Sequence, residues 1–313
     1  MSDLNSVTPG PAPEPGNQDG DTSPNPVKII TWNLLTGGIT GADESRRLRQ
    51  IELLAQWAPT LLWITEATGW HRGAGRRFAE LSGATGMGHL EPVTSRVGDG
   101  VNHSVLYYDT TRVQVDDRSG LLADGVFHHG CQRAWLTIDG VPLTFFGTHL
   151  SYAGGEARLA ETRHLADYGA DFGDWPTRRV LVGDMNSADH SDKEPPSWDA
   201  IPANLIHRYC KVDEDGNILG YDRDARDLLL RAGWRDPQAE VAELRAPTTG
   251  YWYENENVPM RIDQGFVAGD RIKVVDYRTL TGVELDTLAD HRPTLLTVQL
   301  LPPPADTTVA LAA

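Results

Sequence analysis

Residues 178–192 read RRVLVGDMNSADHSD: an apolar run, Val180, Leu181 and Val182, that stops at once on Gly183, Asp184 and Asn186. The run predicts a buried strand. The polar stretch after it admits two readings. Gly, Asp and Asn dominate turns for backbone reasons alone, so Gly-Asp-Met-Asn-Ser can be a polar turn that merely ends the strand. Alternatively the strand exists to carry Asp184 and Asn186, whose i, i+2 spacing on an extended segment would point both side chains the same way. Only the rest of the chain decides between them.

The same ending recurs. VKIIT, 27–31, runs into Trp32-Asn33, and TLLWITE, 60–66, terminates on Glu66. CQRAWLTIDGVPLTFFGTHL, 131–150, predicts a hairpin closed by Asp139-Gly140 in a type I′ turn, its second strand ending on Thr148-His149. RIDQGFV, 261–267, carries Asp263, and Asp290-His291 stands just before the last apolar run. Strands that deliver polar groups to their ends are how α/β sheets build a site. One such ending means little, but six exceed what turn chemistry explains.

Between these runs, DESRRLRQIELLAQW, 43–57, predicts a helix with Leu48, Ile51, Leu54 and Trp57 inward, Asp43 as N-cap and Pro59 as stop. HSVLYYD and RVQVD look like paired strands. Further helices are expected from Glu156 to about Tyr168 and over DARDLLLRAGW, the latter closed by Gly233. Residues 187–222 form a long Pro- and Asp-rich loop with a small hairpin around KVDEDGNILGYD. A loop of that length inside a compact domain is often functional.

Length and composition bound the class. The chain has 313 residues, 40% hydrophobic and 23% charged, which is a soluble globular composition. No apolar run approaches the roughly 20 residues that span a bilayer, so no membrane association is expected. Residues 1–26 lack the basic and apolar regions of a secretory signal and predict a disordered Pro/Gly/Asp-rich tail. Residues 302–313 predict a flexible tail, leaving one domain over 27–301. Cys131 and Cys210 make no disulfide or zinc pattern and are expected as buried thiols. A cytoplasmic monomer is the simplest expectation. The net charge is −16; residues 1–26 hold four acids and no Lys or Arg, so −12 remains on the rest. That balance disfavours nucleic acid as a partner and suits a site for a divalent cation.

Taken together, ITWNLL around Asn33, LLWITEA around Glu66, GTHLSY around His149, LVGDMNSAD, MRIDQGFV and ADHRP resemble the endonuclease/exonuclease/phosphatase superfamily of DNase I-like, metal-dependent phosphoesterases. The resemblance runs from about Val27 to Leu301. It implies an α/β fold, a four-layer α/β sandwich in which two mostly antiparallel sheets pack face to face with helices outside. It also implies divalent-metal-dependent hydrolysis of a phosphoester, with Mg²⁺ or Mn²⁺ as cofactor.

Such hydrolysis needs a cation to offset phosphoryl charge, an activated water and a group that stabilises developing charge. Glu66 is the expected metal ligand, with Asn33 as a neutral oxygen partner and Asp290 adding a further carboxylate. By the resemblance, Asp184 orients and deprotonates the attacking water, and Asn186 donates to that water or to the phosphate. His291 contacts the scissile phosphate with Asp263 fixing its tautomer, and His149 donates to a nonbridging oxygen. Whether Asp184 or His291 is the general base stays open. Arg133 is expected to reach a phosphate and Trp252 to stack on a base or sugar. Asp189 and His190 are expected as loop polar groups.

The substrate is not written in these motifs. A nuclease-type phosphodiesterase acting on DNA or RNA is the first expectation, drawing on the clusters Arg46/Arg47/Arg49 and Arg72/Arg76/Arg77. A phosphatase of a small phosphorylated metabolite (a nucleotide, sugar or inositol phosphate) is the alternative, and a non-catalytic binding module of the same fold is the second. A continuous basic groove beside the site would favour the nuclease; a small acidic pocket would favour the phosphatase.

Overall fold

The computed structural model describes residues 25–97, 100–171 and 177–302. The tails expected at 1–26 and 302–313 lie outside these, apart from Asn25, Pro26 and Pro302. The chain begins with β1 (Val27–Asn33), α1 (Ser45–Trp57), β2 (Leu61–Thr65) and α2 (Arg72–Thr85). Then come β3 (Met87–His89), β4 (Val93–Thr94), β5 (His103–Asp109), β6 (Val113–Val115) and β7 (Gly120–Leu121). The hairpin β8 (Cys131–Ile138) and β9 (Val141–His149) leads to α3 (Gly155–Ala166) and β10 (Arg179–Asp184). A long excursion holds α4 (Ile206–Tyr209), β11 (Cys210–Val212) and β12 (Ile218–Tyr221). Finally come α5 (Asp224–Arg231), β13 (Asp263–Ala268), β14 (Ile272–Thr279) and β15 (Thr294–Leu300).

Two sheets result. One runs β14-β15-β1-β2-β5-β3 with β4 on β5; the other runs β13-β10-β9-β8-β6 with β7 on β8. Alternation along each strand explains the continuous apolar runs, since both faces are covered. Ile29 packs between the sheets while Ile30 faces the helices. Val180 and Val182 point inward while Leu181 joins Leu165 and Leu229 of α3 and α5 on the outer face. The order is therefore helices, sheet, sheet, helices: the expected four-layer sandwich. Between the sheets Trp63, fully buried, lies against Gly147, where a Cβ would come within 2.4 Å of its ring.

Pairing direction positions the site. Each sheet has one parallel pair at its centre, β1 with β2 and β9 with β10, and their registers end on Asn33↔Thr65 and Asp184↔His149. A parallel pair sends both C-terminal ends to the same edge. The antiparallel neighbours begin where those strands end: Asp263 opens β13 opposite Asp184, and His291 precedes β15, which opens opposite Thr31. Strand ends from both sheets therefore meet at one edge of the sandwich.

Several expectations need correction. HSVLYYD and RVQVD do not pair; β5 lies in one sheet and β6 in the other, because the intervening turn crosses between layers. Leu48 is 51% exposed, so the inward stripe of α1 is narrower than expected. Glu44 occupies the N-cap of α1, and Asp43 instead accepts from the Ser45 N–H. Helix α2 adds to the expected elements. Asp139-Gly140 does take two positive φ angles, as a type I′ turn requires, and both cysteines are buried. Among the described residues no helix is long and apolar enough to cross a membrane.

Candidate active site

Strand β10 ends in an Asx turn, so both readings of Gly-Asp-Met-Asn hold at once. Asp184 Oδ1 accepts the Asn186 N–H at 2.9 Å, and Asn186 takes a left-handed φ of 46°. The extended geometry expected for Asn186 is absent, and the turn itself directs both side chains to the site. One amide hydrogen of Asn186 is bound by the Leu150 carbonyl at 2.8 Å, which ties this turn to the end of β9. Gly183 is required on steric grounds: a Cβ there would lie 1.8 Å from the Thr148 carbonyl oxygen. Non-glycine residues with positive φ also include Leu35, Thr36 and Glu66, around the ends of β1 and β2. Such strain collects at sites that the surrounding structure holds in place.

Asp184 is the hub. Its Oδ2 accepts from Asn33 Nδ2 at 3.2 Å and lies 3.4 Å from His149 Nε2 and 3.7 Å from His291 Nδ1. His291 Nδ1 bonds Asp263 Oδ2 at 2.8 Å, which leaves Nε2 as the ring nitrogen free to face the cavity. Burial pushes the His291 pKa down, but the carboxylates of Asp263, Asp184 and Asp290 override it and hold the value well above the usual one. His149 stacks flat on His129, with ring centroids 4.0 Å apart. Burial, with His149 and His128 nearby, drives His129 down to about 2, so it stays neutral.

Glu66 and Asp290 supply the hard oxygens. Glu66 accepts from Asn33 Nδ2 and from the Thr36 N–H, each at 3.1 Å. Asp290 Oδ1 is buried without a partner among the described residues. Burial raises the Asp290 pKa, and the charges of Glu66 and Asp184 add to that despite His291. An orphaned carboxylate oxygen beside a second carboxylate is an arrangement that a hard cation completes, so these residues fit Mg²⁺ or Mn²⁺. A second group, Asp184, Asp263 and His291, has ligand atoms within 4.8 Å of one another. There His291 Nδ1 is already engaged by Asp263 Oδ2 at 2.8 Å. Glu66 with Asp290 is the better match to a cation.

A cavity of about 570 Å³ gathers these groups. Asn33, Glu66, His149, Asp184, Asn186, Trp252, Asp290 and His291 all line it, and Asp263 stands behind His291. Two expected roles change. The Asn33 oxygen accepts from the Leu35 N–H at 3.1 Å, so its amide NH₂, not its oxygen, faces Glu66. Arg133 is not at the site: it lies on the outer face of β8, donating to the Tyr168 hydroxyl at 2.8 Å and covering Trp135. Strand alternation turns it away.

The two arginine clusters are not a basic groove either. Arg47 pairs with Glu44 and Glu80, Arg49 with Glu52 and Glu284, and Arg76 and Arg77 with Glu44. Arg46 donates to the Leu288 and Leu35 carbonyls. Asp189 is no loose loop group but is buried against Arg226 and Arg245. Sequence reasoning also passes over His129, Tyr152, Arg208 and Tyr209, which line the cavity from loops and a four-residue helix whose sequences carry no periodic signal.

No sequence family model matches this chain, and no curated protein sequence does. Solved structures do. An endonuclease/exonuclease/phosphatase from Bacteroides vulgatus is similar at a TM-score of 0.62 and 16% identity, covering 88% of this chain and 99% of that one. TDP2 from D. rerio, complexed with a single-strand DNA product, gives 0.62 at 14% identity, over 88% and 99%. A mannosyl-6-phosphatase from Bacteroides thetaiotaomicron gives 0.57 at 15%, over 87% and 99%. The chain thus has the fold of endonuclease/exonuclease/phosphatase proteins.

Proposed function

We propose that this chain is a divalent-cation-dependent phosphoester hydrolase whose substrate is a small phosphorylated metabolite. The observation that carries the reaction class is the convergence on Asp184 Oδ2 of Asn33, His149 and His291, beside Glu66 and the orphaned Asp290 oxygen. Glu66 and Asp290 would hold the cation, which when bound offsets charge on the phosphoryl oxygens.

The protein's own groups supply the rest. Asp184, fixed by the Asn33 amide and the Asn186 N–H, keeps its carboxylate oriented to accept a proton from the attacking water. His291 holds its Nδ1 proton against Asp263 and offers Nε2 to a phosphoryl oxygen as a donor. That division assigns the base to Asp184 and charge stabilisation to His291. His149 adds a second donor from the opposite sheet.

The substrate class rests on charge. Glu66, Asp184, Asp290 and Glu256 line the cavity, whereas Arg208 is its one lining Lys or Arg among the described residues. Of the arginines that would have served a polynucleotide backbone, Arg47, Arg49, Arg76 and Arg77 pair with carboxylates and Arg46 with backbone carbonyls. The mannosyl-6-phosphatase offers a precedent for a small substrate on this fold, and the TDP2 complex for the nuclease alternative. Purified protein with Mg²⁺, Mn²⁺ or EDTA, incubated with sugar phosphates, nucleotides, inositol phosphates, plasmid DNA, single-stranded DNA and RNA, tests both. Phosphate release from a metabolite, lost with EDTA and in Glu66→Gln, is expected; cleavage of nucleic acid alone would replace this substrate with the nuclease one.

A further inference from the structure

Arg208 stands apart from most arginines around the site. It sits on α4, half-buried at the cavity wall, and its guanidinium lies over the Tyr152 ring at 5.0 Å. Its Nε is buried with no partner, and among the described residues Arg208 makes no ion pair or hydrogen bond. Glu256, the carboxylate beside this wall, accepts instead from the Tyr209 hydroxyl at 2.6 Å. A guanidinium is a planar fork matched to carboxylate and phosphate oxygens, and leaving one unpaired and partly desolvated is costly. An anion within the cavity would complete this fork.

The wall that carries it is anchored. Arg223 donates to the Asp189 and Asp192 carbonyls at 3.1 and 2.8 Å, and Ser187 Oγ donates to the Asp222 carbonyl at 2.9 Å. Ring contacts connect this wall to the chemistry. Tyr152 lies 5.7 Å from His129, which stacks on His149 at 4.0 Å. Through the rings of His129 and Tyr152, Arg208 and His149 belong to one stretch of the cavity wall.

We propose that Arg208 receives a second anionic group of the substrate, a phosphate or carboxylate separate from the phosphate that is hydrolysed. This rests on the phosphoester hydrolase reading. The substrate class narrows to small molecules with two anionic ends, and Arg208 is the residue that selects them. Tyr152 packs against the guanidinium, whose terminal nitrogens have no partner among the described residues and serve the anion.

Matched substrate pairs test it. Fructose 1,6-bisphosphate against fructose 6-phosphate, and adenosine 3′,5′-bisphosphate against adenosine 5′-monophosphate, add a second phosphate; 3-phosphoglycerate against glycerol 3-phosphate adds a carboxylate. The wild type should show a higher kcat/KM for the doubly anionic member of at least one pair. Arg208→Ala should reduce that preference about 10- to 100-fold, the scale of a lost charged hydrogen-bond pair, and Arg208→Lys should restore part of it. Calorimetric binding of the same compounds in EDTA gives a readout free of turnover, and thermal melts check that the variants fold. Equal losses on both members of every pair, or an unchanged preference, would overturn the proposal. A wild type that binds a doubly anionic compound through Arg208 but hydrolyses nothing would overturn the hydrolase reading and leave this one standing. Neither binding nor hydrolysis would overturn both.

Discussion

His291 Nδ1 lies 2.8 Å from Asp263 Oδ2 and 3.7 Å from Asp184 Oδ2, so one imidazole is held between two carboxylates on adjacent strands. The ladder sets this geometry, because Asp184 and Asp263 are direct partners across β10 and β13. Sheet register therefore sets the two carboxylates, and the bend before β15 brings His291 between them.

Asp263→Asn keeps the shape and removes the charge. His291 is raised by its carboxylates, so its protonated form persists through neutral pH and is lost as pH rises through the folded-state value. The substitution should lower that value, moving the alkaline fall in kcat to lower pH and reducing the plateau about 100-fold or more. A pH–rate profile of both proteins decides it; an alkaline limb that does not move means Asp263 does not govern the imidazole.

Cation binding should be visible without turnover. At a free cation concentration 100 times Kd, a native-state ligand stabilises by about 2.7 kcal/mol. For a domain of this size the melting temperature should rise by about 2–4 °C per kcal/mol. EDTA should abolish the rise, Glu66→Gln should remove most of it, and Asp290→Asn should remove part. Melts of the three proteins with and without Mn²⁺ measure this, and an equal rise in Glu66→Gln would place the cation elsewhere.

Much of this site is legible in the sequence because each strand is apolar on both faces and its polar end stands out against that background. Layer crossing is not legible: nothing in Asp109 to Arg112 distinguishes a hairpin from a passage between sheets. Arg133 misleads for a related reason, since its place on the hairpin that leads to His149 hides the alternation that points it outward, opposite Phe146. The arginine clusters mislead in part because some neutralising partners come from distant sequence, Glu80 to Arg47 and Glu284 to Arg49. Arg208 cannot be read at all, as its significance lies in having no partner.

Gly183 offers a test of how tightly the central strands are bound to the site. An Ala Cβ would lie 1.8 Å from the Thr148 carbonyl oxygen, at a φ of 148°. Gly183→Ala should cost about 3 kcal/mol or more and displace Asp184. Gly216→Ala is the control: its φ of 84° is also unfavourable, but nothing lies within 4 Å. It should cost about 1–2 kcal/mol. Urea unfolding of both variants separates steric from backbone cost, and equal losses would remove the steric account.

Glu161 of α3 links stability to pH. Its carboxylate accepts the N–H groups of His128 and Ser151, each at 2.7 Å, and so braces the segment that follows His149. Burial nevertheless pushes its pKa up to about 7, outweighing those two bonds and Arg158. A group raised in the folded state binds its proton more tightly there than in the unfolded chain. Its contribution is thus fully present below the ordinary value of 4.5 and is lost as pH rises through about 7. The full span is on the order of 3 kcal/mol. Unfolding free energies in EDTA at pH 4.5, 6 and 8 should therefore fall across that window in the wild type. In Glu161→Gln, which cannot ionise, this part of the slope should vanish. If the slope is the same in both proteins, Glu161 is already ionised throughout, and the brace behind His149 is a charged one.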